Sequence, residues 1–178
     1  MKLLIDWLKK ILRDNKNIEI ERKFLLTNKE VDMFFNINKF NLSKREEIIQ
    51  FYIDENPEMR ARKVKGEFKT KYYFTIKSKG NMCREEYEIE VSQKFYNMLL
   101  SKRIYERIIK TRFTFNIGRG QKVELDMYKD MDLNIVEVEF KSKRKANKFK
   151  APDYFGKEVT DDTRYKNMSL AKNGLSKD

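Results

Sequence analysis

Histidine is absent from this 178-residue sequence, and cysteine, tryptophan, proline and glycine are scarce. Without histidine, the chain has neither the most common general base nor the most common transition-metal ligand, and it cannot build a Ser-His or Cys-His nucleophile pair. The single cysteine, Cys83, excludes an internal disulfide and is typical of the reducing cytoplasm. A bound metal is therefore expected to be a hard cation held by oxygen atoms, either Mg²⁺ or Mn²⁺.

Two further features are missing: a linker rich in proline, glycine or serine, and an apolar run long enough to span a bilayer. We therefore expect one domain at residues 18–175 with a core of its own. The sequence also shows no cleavage site typical of a signal peptide, and we expect a cytoplasmic protein.

The segment at residues 1–17 carries apolar side chains at helical spacing with basic residues between them, which predicts an amphipathic helix. The apolar positions are Leu3, Leu4, Trp7, Leu8, Ile11 and Leu12. We expect this helix to dock on the domain or on a second copy in a homodimer. Binding to a membrane surface is the less favoured alternative for such a basic helix.

Charge is what the sequence has in abundance, with 40 lysine and arginine residues against 28 aspartate and glutamate residues and a net charge of +12. Such an excess predicts an anionic partner. Nucleic acid, an acidic membrane surface and a small polyphosphorylated molecule all satisfy that prediction. The charge alone does not choose among them.

These charges follow the period of a β-strand. In residues 18–26, Glu19, Glu21 and Lys23 share one face, while apolar side chains share most of the other. One such segment is typical of any half-exposed strand. The same alternation returns, however, in seven later segments, at residues 44–54, 58–65, 69–78, 84–91, 105–116, 122–128 and 135–140.

Eight predicted strands, mostly consecutive and joined by short turns, favour a mainly β (α+β) fold in which an antiparallel sheet closes into a barrel. Turns are predicted at Asn56-Pro57 and at residues 118–120. Helices are predicted at residues 28–35, after Ser92 and within 141–150.

The orientation of the two strand faces decides what such a barrel contains. If the apolar faces pointed inward, side chains would fill an eight-stranded barrel and the charges would lie in water. If the charged faces pointed inward, helices would cover the apolar exterior, and the lumen would be hydrated and suited to a highly charged ligand. The pattern favours this second arrangement, because the predicted helices carry apolar stripes.

Seven charged motifs follow one another along the strands: Glu19-x-Glu21-x-Lys23, Arg60-x-Arg62, Thr75-x-Lys77, Arg84-x-Glu86-x-Glu88, Lys110-Thr111-Arg112, Glu124-x-Asp126 and Glu137-x-Glu139. This series resembles the CYTH domain of the triphosphate tunnel metalloenzymes. Residues 155–160 and 164–171 resemble most closely the bacterial inorganic tripolyphosphatases. The resemblance implies a closed eight-stranded tunnel with a charged lumen, which hydrolyses tripolyphosphate to pyrophosphate and phosphate with Mg²⁺ or Mn²⁺.

The same resemblance implies roles for individual residues. The implied metal ligands are Glu19, Glu21, Asp126, Glu137 and Glu139. The implied phosphate contacts are Lys23, Arg60, Arg62, Lys77, Arg84, Lys110, Arg112 and Lys157. Tyr52 is matched with Lys77 as a catalytic pair, although Phe51 stands where a glycine is usual, and Glu139 is a third catalytic candidate.

Two kinds of alternative remain open. Within the same fold, the reaction could be cyclisation of ATP, or hydrolysis of thiamine triphosphate or of a nucleoside triphosphate. A non-catalytic barrel that binds nucleic acid or polyphosphate is the other alternative, but it predicts aromatic side chains interleaved with lysines on one exposed face. Tyr72, Phe74, Tyr87 and Phe113 instead alternate with the basic residues and so lie opposite them. We therefore expect a small anionic substrate, with neither nucleic acid nor a membrane as partner.

Overall fold

Eight strands form the centre of the computed structural model, which describes residues 16–117 and 121–175. Eight antiparallel strands close into a barrel in the spatial order β1-β5-β4-β3-β2-β6-β7-β8. They are β1 (Lys16–Leu25), β2 (Leu42–Glu55), β3 (Glu58–Lys65), β4 (Thr70–Lys77), β5 (Cys83–Val91), β6 (Ile108–Ile117), β7 (Gln121–Tyr128) and β8 (Asn134–Glu139). The predicted closed barrel is confirmed.

The first strand closes the barrel because it pairs with two partners in succession. Its first half pairs with β5, where Glu19 lies opposite Arg84. Its second half pairs with β8, where Glu21 lies opposite Glu139 and Lys23 opposite Glu137. The strand begins two residues before the predicted start at residue 18. The rest of the predicted N-terminal helix, residues 1–15, and the predicted turn at 118–120 lie outside the described residues.

The described helices surround the strands. They are α1 (Asn28–Asn38), α2 (Gln93–Leu100), α3 (Lys143–Lys148) and α4 (Asn167–Asn173), with short 3₁₀ turns at Lys39–Asn41 and Thr163–Tyr165. Thr27 caps α1 through a capping box with Glu30, and Ser92 caps α2 by accepting a hydrogen bond from the Phe95 amide. The helices predicted at 28–35, after Ser92 and within 141–150 are confirmed, whereas α4 was not predicted. None of the helices in the described ranges is long and apolar enough to cross a membrane.

The apolar faces of the strands point outward and are covered by these helices. Phe34 of α1 is fully buried, and its ring meets that of Phe115 edge-on at 4.9 Å between centroids. On another side of the barrel, Tyr96 of α2 packs on Phe51, with 5.2 Å between ring centroids. The hydrophobic core therefore lies between the barrel and its helices. This arrangement leaves the charged faces to line the lumen, as the pattern favoured.

A third apolar cluster covers one end of the lumen. Leu170 and Ala171 of α4 pack against side chains from the ends of four strands, namely Tyr52, Ile108, Tyr128 and Ile135. The opposite end is where β1 and β2 begin, and we call it the mouth. Ligands can therefore enter the lumen from the mouth, while α4 and its apolar cluster form the floor.

Candidate active site

The lumen is a cavity of about 320 Å³ whose lining is dominated by charged side chains. Nine are cationic: Lys23, Lys44, Arg60, Arg62, Lys77, Arg84, Lys110, Arg112 and Lys122. Eight are acidic: Glu19, Glu21, Glu46, Glu86, Glu88, Glu124, Glu137 and Glu139. Every strand contributes at least one of them, because successive side chains of a strand point to opposite faces.

Solvent exposure falls steeply from the mouth to the floor. At the mouth, the side chains of Lys44 and Lys122 are 61% and 42% exposed. Arg112, further in, is 12% exposed, and Lys110 near the floor is 2% exposed. Water therefore screens the charges at the mouth, whereas the deep charges depend on one another.

The wall formed by β1, β6, β7 and β8 holds a dense ion-pair network. The Arg112 guanidinium donates to Asp126 at 2.6 Å and to Glu137 at 2.7 Å, and it also pairs with Glu124. Lys23 pairs with Glu137, and Lys110 pairs with Asp126. Burial opposes ionisation of Glu137, but the cations beside it hold its pKa well below the usual range. Glu137 is therefore ionised at neutral pH, held by the cations of this network.

The opposite wall, from β1, β3, β4 and β5, carries a second network. Arg84 donates to Glu19 at 2.7 Å, and Lys77 donates to the same carboxylate at 2.8 Å. Burial disfavours the charged form of Glu19, yet Lys77 and Arg84 lower its pKa below the ordinary value. Nearer the mouth, Arg62 donates to Glu88 at 2.8 Å. Each cation of this wall is therefore held in place by a carboxylate before a ligand arrives.

Two donor groups in the lumen have no acceptor. Among the described residues, the Nε atoms of Arg60 and Arg62 are buried and lack a hydrogen-bond partner. Leaving such a donor unsatisfied costs about 1–3 kcal/mol, more for a charged group. Both side chains line the cavity, and Arg60 is only 6% exposed. An anionic oxygen in the lumen would satisfy these donors once the guanidinium groups turn toward it.

The predicted metal ligands do not form a ready-made metal site. In residues 16–117 and 121–175, no group of three acidic, histidine or cysteine side chains is arranged to hold a metal ion. Glu21 nevertheless has a raised pKa, chiefly from burial, with further contributions from Glu137 and Glu19. A carboxylate crowded by other carboxylates, as Glu21 is, is a group that a divalent cation stabilises. By donor chemistry, Glu19, Glu21 and Glu137 would supply the carboxylate oxygens that Mg²⁺ or Mn²⁺ prefers.

The other two predicted ligands lie apart from this trio. Asp126 is fully buried behind the cavity lining, where Lys110 and Arg112 occupy its oxygens. Glu139 lies opposite Glu21 in the strand register, but its carboxylate pairs with Lys122 at the mouth at 2.9 Å. Burial and the neighbouring Glu124 raise the pKa of Glu139.

The predicted pair of Tyr52 and Lys77 is not formed. Tyr52 is buried in the floor, and its hydroxyl accepts a hydrogen bond from the Gln50 amide at 3.1 Å. Burial raises its pKa, and nearby Glu58 raises it further. Lys77 lies two strands away, where Glu19 and Glu86 hold its ammonium group at 2.8 and 2.9 Å. The strand β3 separates the two residues.

Lys157 is the predicted phosphate contact that the structure places outside the lumen. Its carbonyl accepts a hydrogen bond from the Leu25 amide at 2.9 Å, so its backbone runs along the outer edge of β1. The side chain is exposed and does not line the cavity. The role of Lys157 as a phosphate contact remains a prediction, although its side chain does not line this cavity.

Several lumen residues received no predicted role. Glu86, Glu88 and Glu124 belong to recognised motifs, and the strand alternation already placed them on the charged face. Asn167 comes from the start of α4, where it accepts a hydrogen bond from the Tyr128 hydroxyl at 2.7 Å and lines the cavity. No strand pattern could have found it, because only the tertiary fold brings α4 beneath the barrel.

Comparison with known proteins identifies the family. The model of the CYTH domain matches residues 17–165. This chain belongs to the CYTH family. The resemblance seen in the seven motifs is thereby confirmed, and the match covers all eight strands of this CYTH protein.

Two relatives of this chain are both named inorganic triphosphatase. An inorganic triphosphatase of Nitrosomonas europaea is 42% identical over 104 residues, which are 57% of this chain and 69% of that protein. An inorganic triphosphatase of Acetivibrio thermocellus is 31% identical over 158 residues, which are 87% of this chain and 94% of that protein.

Solved structures share the barrel. The crystal structure of an inorganic triphosphatase matches this CYTH protein with a TM-score of 0.58 at 34% identity, covering 89% of this chain and 95% of that one. A protein from Pyrococcus horikoshii matches with a TM-score of 0.60 at 17% identity, covering 72% of this chain and 82% of that one. The second likeness concerns the fold alone.

Proposed function

We propose that this CYTH protein hydrolyses inorganic tripolyphosphate to pyrophosphate and phosphate inside the barrel. The observation that carries the proposal is the pair of buried, unpartnered donors of Arg60 and Arg62 in a lumen lined by nine cations. The names of the two relatives, both inorganic triphosphatases, support the same reaction.

Binding is the first task of the lumen. The phosphate groups would exchange places with the carboxylates that hold the cations, so that Arg60, Arg62, Arg84 and Arg112 keep a full set of partners. Arginine suits this exchange because its planar fork binds two oxygens of one phosphate. Cations from opposite walls would hold successive phosphates, which aligns the chain for in-line displacement.

A divalent metal is the second part of the proposal, with Glu19, Glu21 and Glu137 as its principal ligands and Glu139 and Asp126 as further candidates. When bound, Mg²⁺ or Mn²⁺ would offset phosphate charge and lower the pKa of an attacking water. Lys23 pairs with Glu21 and Glu137, and it would swing to a phosphate oxygen once those carboxylates hold a cation.

Charge stabilisation at the deep end is the third task. Lys110 and Arg112 are both buried, and fixed cations in a site that excludes water stabilise the charge that develops on a leaving pyrophosphate. Burial lowers the pKa of Lys110 to about 8, even though Asp126 opposes that change. Lys110 is therefore charged in most molecules at neutral pH.

A nucleoside triphosphate is the second candidate substrate, and one observation favours it. Tyr73 lines both the mouth and an adjoining groove of about 870 Å³, which also contains Phe68. Phe68 is 91% exposed, so its ring is available to stack on a base. The triphosphate would occupy the lumen, with the nucleoside outside.

A phosphate-release screen of the purified protein tests these proposals. Tripolyphosphate, ATP, thiamine triphosphate and long-chain polyphosphate are compared with and without Mg²⁺ or Mn²⁺. We expect metal-dependent release that is fastest with tripolyphosphate. Arg60→Ala is expected to weaken substrate binding, whereas Arg144→Ala on the outer helix α3 serves as a control of equal charge. Absence of release from every triphosphate, with intact binding, would overturn catalysis and leave a binding barrel.

A further inference from the structure

The outer face of α1 carries a surface of apolar side chains that is unusual for a solvent-exposed helix. Met33 and Ile37 lie one turn apart on this face and are 43% and 53% exposed. Phe40 and Leu42, which follow the helix directly, are 90% and 44% exposed. We call these four residues the α1 patch. The inner face of α1 already buries Val31 and Phe34 against the barrel, so the α1 patch does not belong to that core.

The α1 patch lies near the point where the described chain begins. Leu42 pairs with Phe115, and the neighbouring pair of Lys44 and Thr114 leads to the mouth. The described chain begins at Lys16, also at the mouth, since the next residue, Asn17, lines the cavity. The α1 patch and the point where residues 1–15 join β1 therefore lie at the same end of the barrel.

The distance between them suits the length of the preceding segment. Around the barrel, β1 is followed by β8, β7 and β6, and α1 packs over the outer faces of these strands. The next strand is β2, which contains Leu42 of the α1 patch, and four strand spacings of about 4.8 Å give roughly 19 Å. A helix of fifteen residues is about 22 Å long. The segment can thus reach the α1 patch without unpairing β1.

The chemistry of the segment complements the α1 patch. Residues 1–15 contain six apolar side chains at helical spacing together with four basic residues. We propose that residues 1–15 form an amphipathic helix whose apolar stripe covers the α1 patch of the same molecule. A tethered segment has an effective concentration in the millimolar range, which favours its own domain over a second copy. Removing both apolar surfaces from water drives the docking.

Trp7 allows a direct test, because it is the only tryptophan of the chain and lies in the proposed stripe. Its emission maximum and its quenching by acrylamide are measured in the full-length protein and in the urea-unfolded chain. We expect Trp7 of the folded protein to emit further to the blue and to be shielded from quencher, equally at low and high protein concentration. Emission identical to that of the unfolded chain would overturn the proposal.

Variants locate the docking surface. Ile37→Lys is expected to shift the Trp7 emission to the position of the unfolded chain and to abolish the shielding. Met98→Lys on α2, which replaces an apolar residue of similar exposure, 45%, should leave both unchanged. Leu8→Lys within the segment should reproduce the effect of Ile37→Lys. Phosphate release and thermal unfolding verify that each variant is folded, since neither Ile37 nor Met98 lines the lumen.

Two results would contradict the proposal. Unchanged emission in Ile37→Lys would show that Trp7 is not seated on the α1 patch. Shielding that disappears on dilution, together with dissociation of a dimer in light scattering, would assign the segment to a second copy instead.

Discussion

The floor and the mouth of the lumen carry the same kinds of charge in different surroundings. Near the floor, Lys110 and Asp126 are 2% and 0% exposed, whereas Lys122 and Glu139 at the mouth are 42% and 41% exposed. Two unit charges 4 Å apart attract by about 1 kcal/mol in water and by about 4 kcal/mol at an effective dielectric constant of 20. The deep pairs therefore fix the geometry of the site, while the pairs at the mouth can open and close readily.

The largest effect is expected from removing divalent metal, because the deep carboxylates are the proposed ligands. Exhaustive chelation should abolish phosphate release from tripolyphosphate, and added Mg²⁺ or Mn²⁺ should restore it. Calorimetry with Mn²⁺ on the wild type and on Glu21→Gln locates the site independently of turnover. Full activity of the chelated protein, or equal Mn²⁺ affinity of the two proteins, would contradict the assignment.

The second largest effect compares the floor with the mouth. One cation is removed from each, and the loss in the free energy of unfolding is measured. Arg112→Ala leaves Asp126, Glu124 and Glu137 without a principal partner, and we expect a loss of about 3–5 kcal/mol in the free energy of unfolding. Lys122→Ala removes a half-exposed partner of Glu124 and Glu139, and we expect a loss below about 1 kcal/mol. Urea unfolding measures both. Equal losses would mean that solvent reaches both ends of the lumen alike.

Much of the barrel could be predicted because its strands break the usual rule for surface segments. An alternation such as that of Glu19, Glu21 and Lys23 would ordinarily place charges in water. Repeated over eight strands that must pair, it predicts a charged lumen, and the outward apolar faces that pack on Phe34 and Tyr96 confirm this.

The partners of each charge could not be predicted in the same way. Asp126 and Glu137 share Arg112 because β6, β7 and β8 are neighbours in the closed sheet, and only the strand order provides that information. The hydrogen-bond partner of Lys77, which is Glu19, could likewise be found only from the strand order. The floor depends on α4, whose short sequence lacks a strong periodic pattern.

A smaller effect is expected from two matched carboxylate substitutions. Glu139→Gln removes a charge that is proposed to assist metal binding, and we expect kcat to fall by an order of magnitude or more with a smaller change in KM. Glu88→Gln, on the opposite wall, loses part of an ion pair with Arg62 and should change KM more than kcat. Steady-state kinetics with tripolyphosphate distinguish the two patterns. Identical changes of kcat and KM in both variants would contradict the proposed role of Glu139 in metal binding.

The smallest effect concerns the groove beside the mouth, where Phe68 can meet a nucleoside but not a bare triphosphate. We expect tripolyphosphate to have the higher kcat/KM of the two substrates, since it carries more charge and needs no room for a base. Phe68→Ala should lower kcat/KM for ATP by roughly 2- to 10-fold, the equivalent of about 0.5–1.5 kcal/mol for one aromatic contact, and should leave tripolyphosphate unaffected. Phe40→Ala, equally exposed but outside the groove, is the matched control. The nucleotide would be the preferred substrate if kcat/KM for ATP equalled or exceeded kcat/KM for tripolyphosphate and if Phe68→Ala removed this preference.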